Sequence, residues 1–143
     1  MKRSLLILLI SFLTLISFGQ TKIEIKQVDI DYRSSFGDSR NYMIDLDARR
    51  IDYTTGIIPL NPDGSPIFNS KRISKKSFNE LSRLIDSVGF MSLDSTTGYG
   101  LDGAWYKINV GFSNGCTKSY DLWSGYAPEP LNELFAYLRK KYK

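Results

Sequence analysis

The stretch AWYKINVGFSNGCTKSYDLW, residues 104–123, alternates large apolar with polar residues on both sides of an Asn-Gly pair. Period-two alternation that reverses about such a pair specifies an antiparallel hairpin with one face buried. Two registers compete. A two-residue turn at Asn114 and Gly115 sets Ser113 against Cys116 and Ile108 against Asp121, which mixes polar with apolar on the inner face. A three-residue loop of Ser113, Asn114 and Gly115, with Gly115 left-handed, sets Phe112 against Cys116, Ile108 against Tyr120 and Tyr106 against Leu122. Its outer face pairs Trp105 with Trp123, Lys107 with Asp121, and Asn109 with Ser119. Cross-strand pairs of like character each stabilise a sheet by about 0.2–1 kcal/mol, so the second register is preferred. Lys118 across from Val110 is its one poor inner pair and marks a position near an edge. The same register puts Cys116 on the core face beside Phe112, as a small, unreactive apolar residue.

The rest of the chain alternates between the two periods. Ile23 and Ile25 fall on one phase and Val28, Ile30 and Tyr32 on the other, which requires a bulge near Lys26 and Gln27. Tyr42, Ile44 and Leu46 alternate inward, residues 47–50 turn the chain, and Ile51 and Tyr53 alternate again: a first hairpin. Residues 54–71 are rich in Gly, Pro, Asn and Asp around NPDGSP and read as one long loop. From Ser77 the period becomes helical, with Phe78, Leu81, Leu84, Ile85 and Val88 on one stripe and Gly89 as the stop. Ser77 and Glu80 have capping-box spacing, with Ser74 as the alternative cap. Phe90, Met91 and Leu93 are expected to anchor the chain below this helix, and Asp102 and Gly103 to turn it into the quoted hairpin. Pro128 and Pro130 open a second helix with Leu131, Leu134, Phe135 and Leu138 on one side. Strands, helix, strands, helix predicts the α+β class: an antiparallel sheet built from hairpins with two helices packed on one face.

Lys2 and Arg3 precede an apolar run that ends in Ser17, Phe18 and Gly19, the pattern of a cleavable export signal cut between Gly19 and Gln20. The run is shorter than the roughly 20 apolar residues of a membrane anchor. The expectation is a signal peptide at 1–19 and a single α+β domain at 20–143, periplasmic or secreted, monomeric and without a stable membrane anchor. About 124 residues remain after cleavage, enough to bury a core without staples. The lone cysteine cannot form an internal bridge, so packing must supply the stability. The formal charge of +4 counts Lys2 and Arg3, and the remaining charges of both signs are interspersed, which argues against nucleic acid as a partner. The densest basic cluster, residues 139–143, falls at a helix C-terminus, where cations complement the dipole; contact with anionic lipid or nucleic acid is the alternative reading.

The inventory of reactive groups is sparse. With no histidine, the chain lacks the usual general base for a Ser or Cys nucleophile and a common zinc ligand. Asp45, Asp47 and Asp52 on the outer side of the first hairpin could together hold a hard cation, but Arg49 and Arg50 compete for them, and a solvated charged face is expected. NPDGS lacks the spaced carboxylates of a calcium loop and reads as a turn. Glu24, Glu80, Glu129 and Glu133 show no spacing that suggests a glycosidase pair. No catalytic residue, metal ligand or cofactor is assigned. What remains is the outer face of the last hairpin: Trp105, Lys107, Asn109, Asp121 and Trp123, with Tyr99 and Tyr126 near the strand ends. Flat rings beside hydrogen-bonding groups suit a protein contact or sugar stacking. The competing reading is structural: the two indoles stack on each other and are half covered by the loop of residues 54–71.

The segment SSFGDSRNYMIDL, residues 34–46, resembles the opening signature of a widespread family of exported bacterial domains of unknown function, Cys-Phe-Gly-x-Cys-Pro-x-Tyr followed by a strand. Phe36, Gly37 and Tyr42 match, Ser35 and Ser39 stand where the cysteines would be, and Arg40 replaces the proline. The Ser-capped helix with its Phe-x-x-Leu tail, the Asp-Gly hairpin DGAWYKINV and the closing Pro-x-x-Leu helix are similar too. The resemblance implies the fold and export but no activity, and the missing cysteine pair removes any redox or disulfide role. Two functions of different class follow: a non-catalytic binding module of the cell envelope, contacting protein or glycan, and a hydrolase of envelope polymers that works through carboxylates alone.

Overall fold

The computed structural model describes residues 22–98, 100 and 102–143. The segment expected to be an export signal, residues 1–19, and Tyr99 lie outside the described residues. Among the described residues, seven strands and two helices follow in the order β1 (Ile25–Ser34), β2 (Ser39–Asp45), β3 (Arg50–Thr55), β4 (Asn69–Arg72), α1 (Lys75–Val88), β5 (Thr96–Thr97), β6 (Ala104–Phe112), β7 (Thr117–Trp123) and α2 (Glu129–Lys141). The strands form one sheet in the order β4-β3-β2-β1-β6-β7-β5, antiparallel throughout except for the short β5, which runs parallel to β7. This is the α+β arrangement that the alternating periods predict.

Alternation decides what is buried. Val28 and Ile30 of β1 lie opposite Ile44 and Tyr42 of β2 and opposite Val110 and Ile108 of β6, and all six belong to one buried cluster. The apolar stripes of both helices enter that same cluster, Leu81, Leu84, Ile85 and Val88 from α1 and Leu131, Leu134, Phe135 and Leu138 from α2. Phe135 meets the rings of Tyr32, Tyr42 and Tyr106 with centroids 4.3–6.0 Å apart, tying α2 to β1, β2 and β6. The pairing of β1 with β6 slips between Ile25 and Gln27, the bulge that the change of phase requires.

The β6–β7 hairpin adopts the second register: Trp105 pairs with Trp123, Lys107 with Asp121, Ile108 with Tyr120, and Asn109 with Ser119. The Phe112 N–H donates to the Cys116 carbonyl at 2.9 Å, and Gly115 takes φ +81°, the left-handed region its loop position demands. Cys116, however, is exposed, which corrects the expectation of a core cysteine. It faces the right way, but β5 pairs with β7 only at Asp121 and Leu122, so the start of β7 is a free edge with nothing laid over it. Lys118, next on the same side, is exposed as well and reaches Met91 O at 2.7 Å.

Three further expectations change. Residues 69–72 are not loop but an edge strand on β3, four exposed residues whose ladder bonds, not apolar alternation, hold them. Ser74, not Ser77, caps α1; Ser77 is buried within the helix, its hydroxyl engaged by Ser74 and by the Lys141 ammonium. Met91 is exposed, and the anchoring below α1 falls to the buried Phe90, whose carbonyl accepts from the Tyr120 hydroxyl, with Leu93 half-buried.

Candidate functional site

Strand alternation in β6 and β7 places Trp105, Lys107, Asn109, Asp121 and Trp123 on the face opposite the core. The two indoles lie side by side, ring centroids 5.6 Å apart and planes 33° apart. They are unequally covered. Trp105 is 38% exposed, whereas Trp123 is half-buried. The cover on Trp123 is glycine backbone: a Cβ on Gly100 would collide with the indole, and one on Gly103 would stand 2.9 Å from it. Only a residue without a side chain lets main chain lie this close to a ring. Tyr126, 63% exposed, continues the aromatic surface, with its ring against Gly98.

The result is a small hollow of about 230 Å³, lined by Trp105, Lys107, Asp121 and Trp123 from the hairpin and by Thr96, Gly98 and Gly100 from the segment before it. Among the described residues neither Lys107 nor Asp121 takes part in an ion pair. The hollow thus offers an indole wall, three ammonium donors and a carboxylate acceptor within one small volume. It is smaller than the roughly 300–1,000 Å³ of a drug-sized site. One ring or one side chain fills it.

The other members of the expected face divide. Asn109 is turned to Ser119, whose hydroxyl donates to its Oδ1 at 2.7 Å, and lines a neighbouring hollow of about 270 Å³ with Phe68, Asn41 and Met43. Lys107 borders both hollows. Of residues 54–71, Phe68 reaches this face, beside Asn109, while the cover on Trp123 comes from Gly100 and Gly103. The sequence reading missed Thr96, Gly98 and Gly100. Their signal was TTGYGLDG itself, three glycines in six residues directly ahead of a tryptophan-bearing hairpin.

The acids of the first hairpin are engaged locally. Asp45 accepts the Ala48 N–H at 2.8 Å, Asp47 pairs with Lys26 at 2.9 Å and Asp52 with Arg50 at 3.2 Å. Among the described residues no group of three or more Asp, Glu or Cys is placed to hold a metal ion. In NPDGS, Asp63 accepts from the N–H and the hydroxyl of Ser65, and these bonds hold its carboxyl below the usual range. Ser35 and Ser39 act as loop ties: Ser35 Oγ donates to Gly103 O at 2.8 Å and accepts its N–H at 3.0 Å, and Ser39 Oγ donates to Gly56 O at 2.8 Å. Among the described helices none is long and apolar enough to cross a membrane. No family model, curated protein or solved structure matches the chain.

Proposed function

We propose that the chain is an exported, non-catalytic binding module of the cell envelope, periplasmic or secreted after cleavage between Gly19 and Gln20, and a divergent relative of the exported domains whose Ser-Phe-Gly segment it resembles. It acts as a monomer and takes one ring or side chain of a protein or glycan partner at the Trp105 face. The observation that carries this reading is the hollow itself. An indole 38% open to solvent borders an ammonium and a carboxylate that are in no ion pair among the described residues. An exposed aromatic anchor beside hydrogen-bonding groups is the composition of a binding hot spot.

The carboxylate hydrolase is the weaker reading. The lining of this hollow holds a single acid, Asp121. The hollow of about 430 Å³ at the start of β1 holds Glu24, Asp47 and Asp86, but Lys26 lies 3.7 Å from Glu24 and 2.9 Å from Asp47. The Lys26 pKa is raised by its hydrogen bond to Asp47, the mark of a charged, solvated pair. A general acid needs the opposite, a carboxyl kept protonated by burial.

The test is capture of partners from an envelope extract by the tagged mature protein, run beside Trp105→Ala and Lys107→Ala. Both variants are expected to keep the parent melting temperature within a few degrees and to lose the captured species, the tryptophan variant by at least about 2 kcal/mol of binding, some thirty-fold. Capture that survives both substitutions overturns the proposal.

A further inference from the structure

At the same end of the sheet as Trp105 and Trp123, but sharing no lining residue with their hollow, four cations from two distant parts of the chain meet. Arg40 at the start of β2 and Arg139, Lys140 and Lys143 at the end of α2 line an open hollow of about 470 Å³, floored by Thr55 and Ala136. One carboxylate stands against them. Asp38 in the β1–β2 turn holds Arg40 Nε at 3.1 Å and Arg139 at 3.4 Å, and the Arg40 side chain is only 16% exposed. The helix dipole accounts for cations in the last turn of α2, but it has no bearing on Arg40, which arrives from a strand. Nor are all the basic residues of the helix end gathered here: Lys141 turns away to the hydroxyls of Ser77 and Tyr137.

Two exposed apolar side chains lie close in the chain to residues of this cluster. Phe36, two residues before Asp38, is 85% exposed at the tip of the β1–β2 turn. Ile57, two residues after Thr55, is 95% exposed. Neither tip is loosely attached. The first turn is closed by Ser34 N–H to Asp38 O at 2.8 Å and Gly37 N–H to Ser34 O at 3.1 Å, and the bend at Gly56 is tied to Ser39 by Gly56 N–H to Ser39 O at 2.8 Å. The fold therefore holds an aromatic and an aliphatic side chain out in solvent beside a cluster of cations.

We propose that this end of the molecule docks reversibly on an anionic lipid surface, with Phe36 and Ile57 entering the headgroup boundary and Lys140, Lys143 and Arg139 facing the lipid phosphates. Single apolar tips flanking long cationic side chains match an interfacial layer, into which the tips insert while the cations stay at the charged plane. A protein hot spot calls for apolar anchors clustered at the centre of a desolvated patch, whereas four of the six residues that line this hollow are cations and neither Phe36 nor Ile57 is among them. Neither signal alone gives stable attachment; an apolar insertion and a basic patch together do. The site is separate from the Trp105 hollow, and either can fail without the other.

The experiment is sedimentation of the mature full chain with vesicles of phosphatidylcholine, with or without about a third phosphatidylglycerol. Binding is expected to the anionic vesicles only and to weaken as salt rises toward 0.5 M, since screening shortens the reach of the cations. Lys140→Gln and Lys143→Gln are each expected to lower the partition coefficient about five-fold, the size of one cation near a charged leaflet. Phe36→Ser and Ile57→Ser should weaken binding at fixed salt, and Trp105→Ala should leave it unchanged. All five substituted sites are exposed, so circular dichroism should match the parent. Absence of binding to the anionic vesicles overturns the proposal, as does equal binding to phosphatidylcholine alone. Binding that falls with the lysine variants but ignores Phe36→Ser and Ile57→Ser also overturns it and assigns the cations to a soluble acidic polymer, for which polyglutamate is the comparison probe.

Discussion

The β6–β7 hairpin carries one facing pair at each end: Trp105 with Trp123 near Gly103, and Phe112 with Cys116 at the loop. Within each pair one residue is covered and the other is not. Phe112 is buried and Cys116 exposed; Trp123 is half-buried and Trp105 38% exposed. Register fixes which side of a sheet a side chain faces, but burial depends on what the rest of the chain lays over it. Phe112 lies beside Ile25 of β1, where the Ser113 N–H donates to Glu24 O at 2.8 Å, so the central strand shelters it. Cys116 is on the free edge. At the other end Gly100 and Gly103 lie against Trp123, while Trp105 is 38% exposed.

Five substitutions test that contrast. The largest effect belongs to Phe112→Ala, which empties a fully packed position; a loss of about 3–5 kcal/mol in denaturant titration is expected, and a loss below about 1 kcal/mol would break the claim that this end of the hairpin is covered. Next is Trp123→Ala, expected to cost about 2–3 kcal/mol, at or just under the low end for a core aromatic because the ring is only half-buried. Trp105→Ala in the same assay should cost less than about 1 kcal/mol, as for an exposed side chain; equal costs would mean that the glycine segment does not distinguish the two rings. Gly115→Val tests the loop that sets both pairs. No atom lies within 4 Å of the added Cβ, so the cost, about 1–3 kcal/mol, is the strain of a β-branched residue at φ +81°. The smallest effect is at the free edge: Cys116→Ser should shift stability by no more than about 0.5 kcal/mol, and the native thiol should react with Ellman's reagent as fast as in the unfolded chain. Slow labelling would place Cys116 under a cover that the fold does not provide.

The apolar patterns made most of the fold legible. The bulge after Ile25, the turn between β2 and β3, the stripes of both helices and the three-residue loop at Gly115 all follow from period and turn chemistry. Strand β4 was hidden because Asn69, Ser70, Lys71 and Arg72 are all exposed and show no apolar alternation; ladder bonds to β3 hold them, with the Lys71 ammonium 5.4 Å from the centre of the Tyr53 ring. β5, parallel to β7, is hidden because two residues are too few to show a period. At the site, the pairs Trp105–Trp123 and Lys107–Asp121 could be read from the register, but the hollow between them could not, because half of its wall comes from Thr96, Gly98 and Gly100 outside the hairpin.

By itself, then, the sequence determined the faces: which residues of each strand and helix turn inward, where Gly115 must be left-handed, and which rings share the outer side of the last hairpin. These depend on local backbone geometry, and local geometry is written in residue period and turn chemistry. Only the tertiary structure decided the cover. That Trp123 is clamped and Trp105 open, that Cys116 is bare while Phe112 is buried, and that Arg40 meets Arg139 and Lys140 beside Phe36 and Ile57 all depend on contacts between segments far apart in the chain. No periodicity encodes these contacts, because they arise from how the elements pack against one another and not from how each is formed.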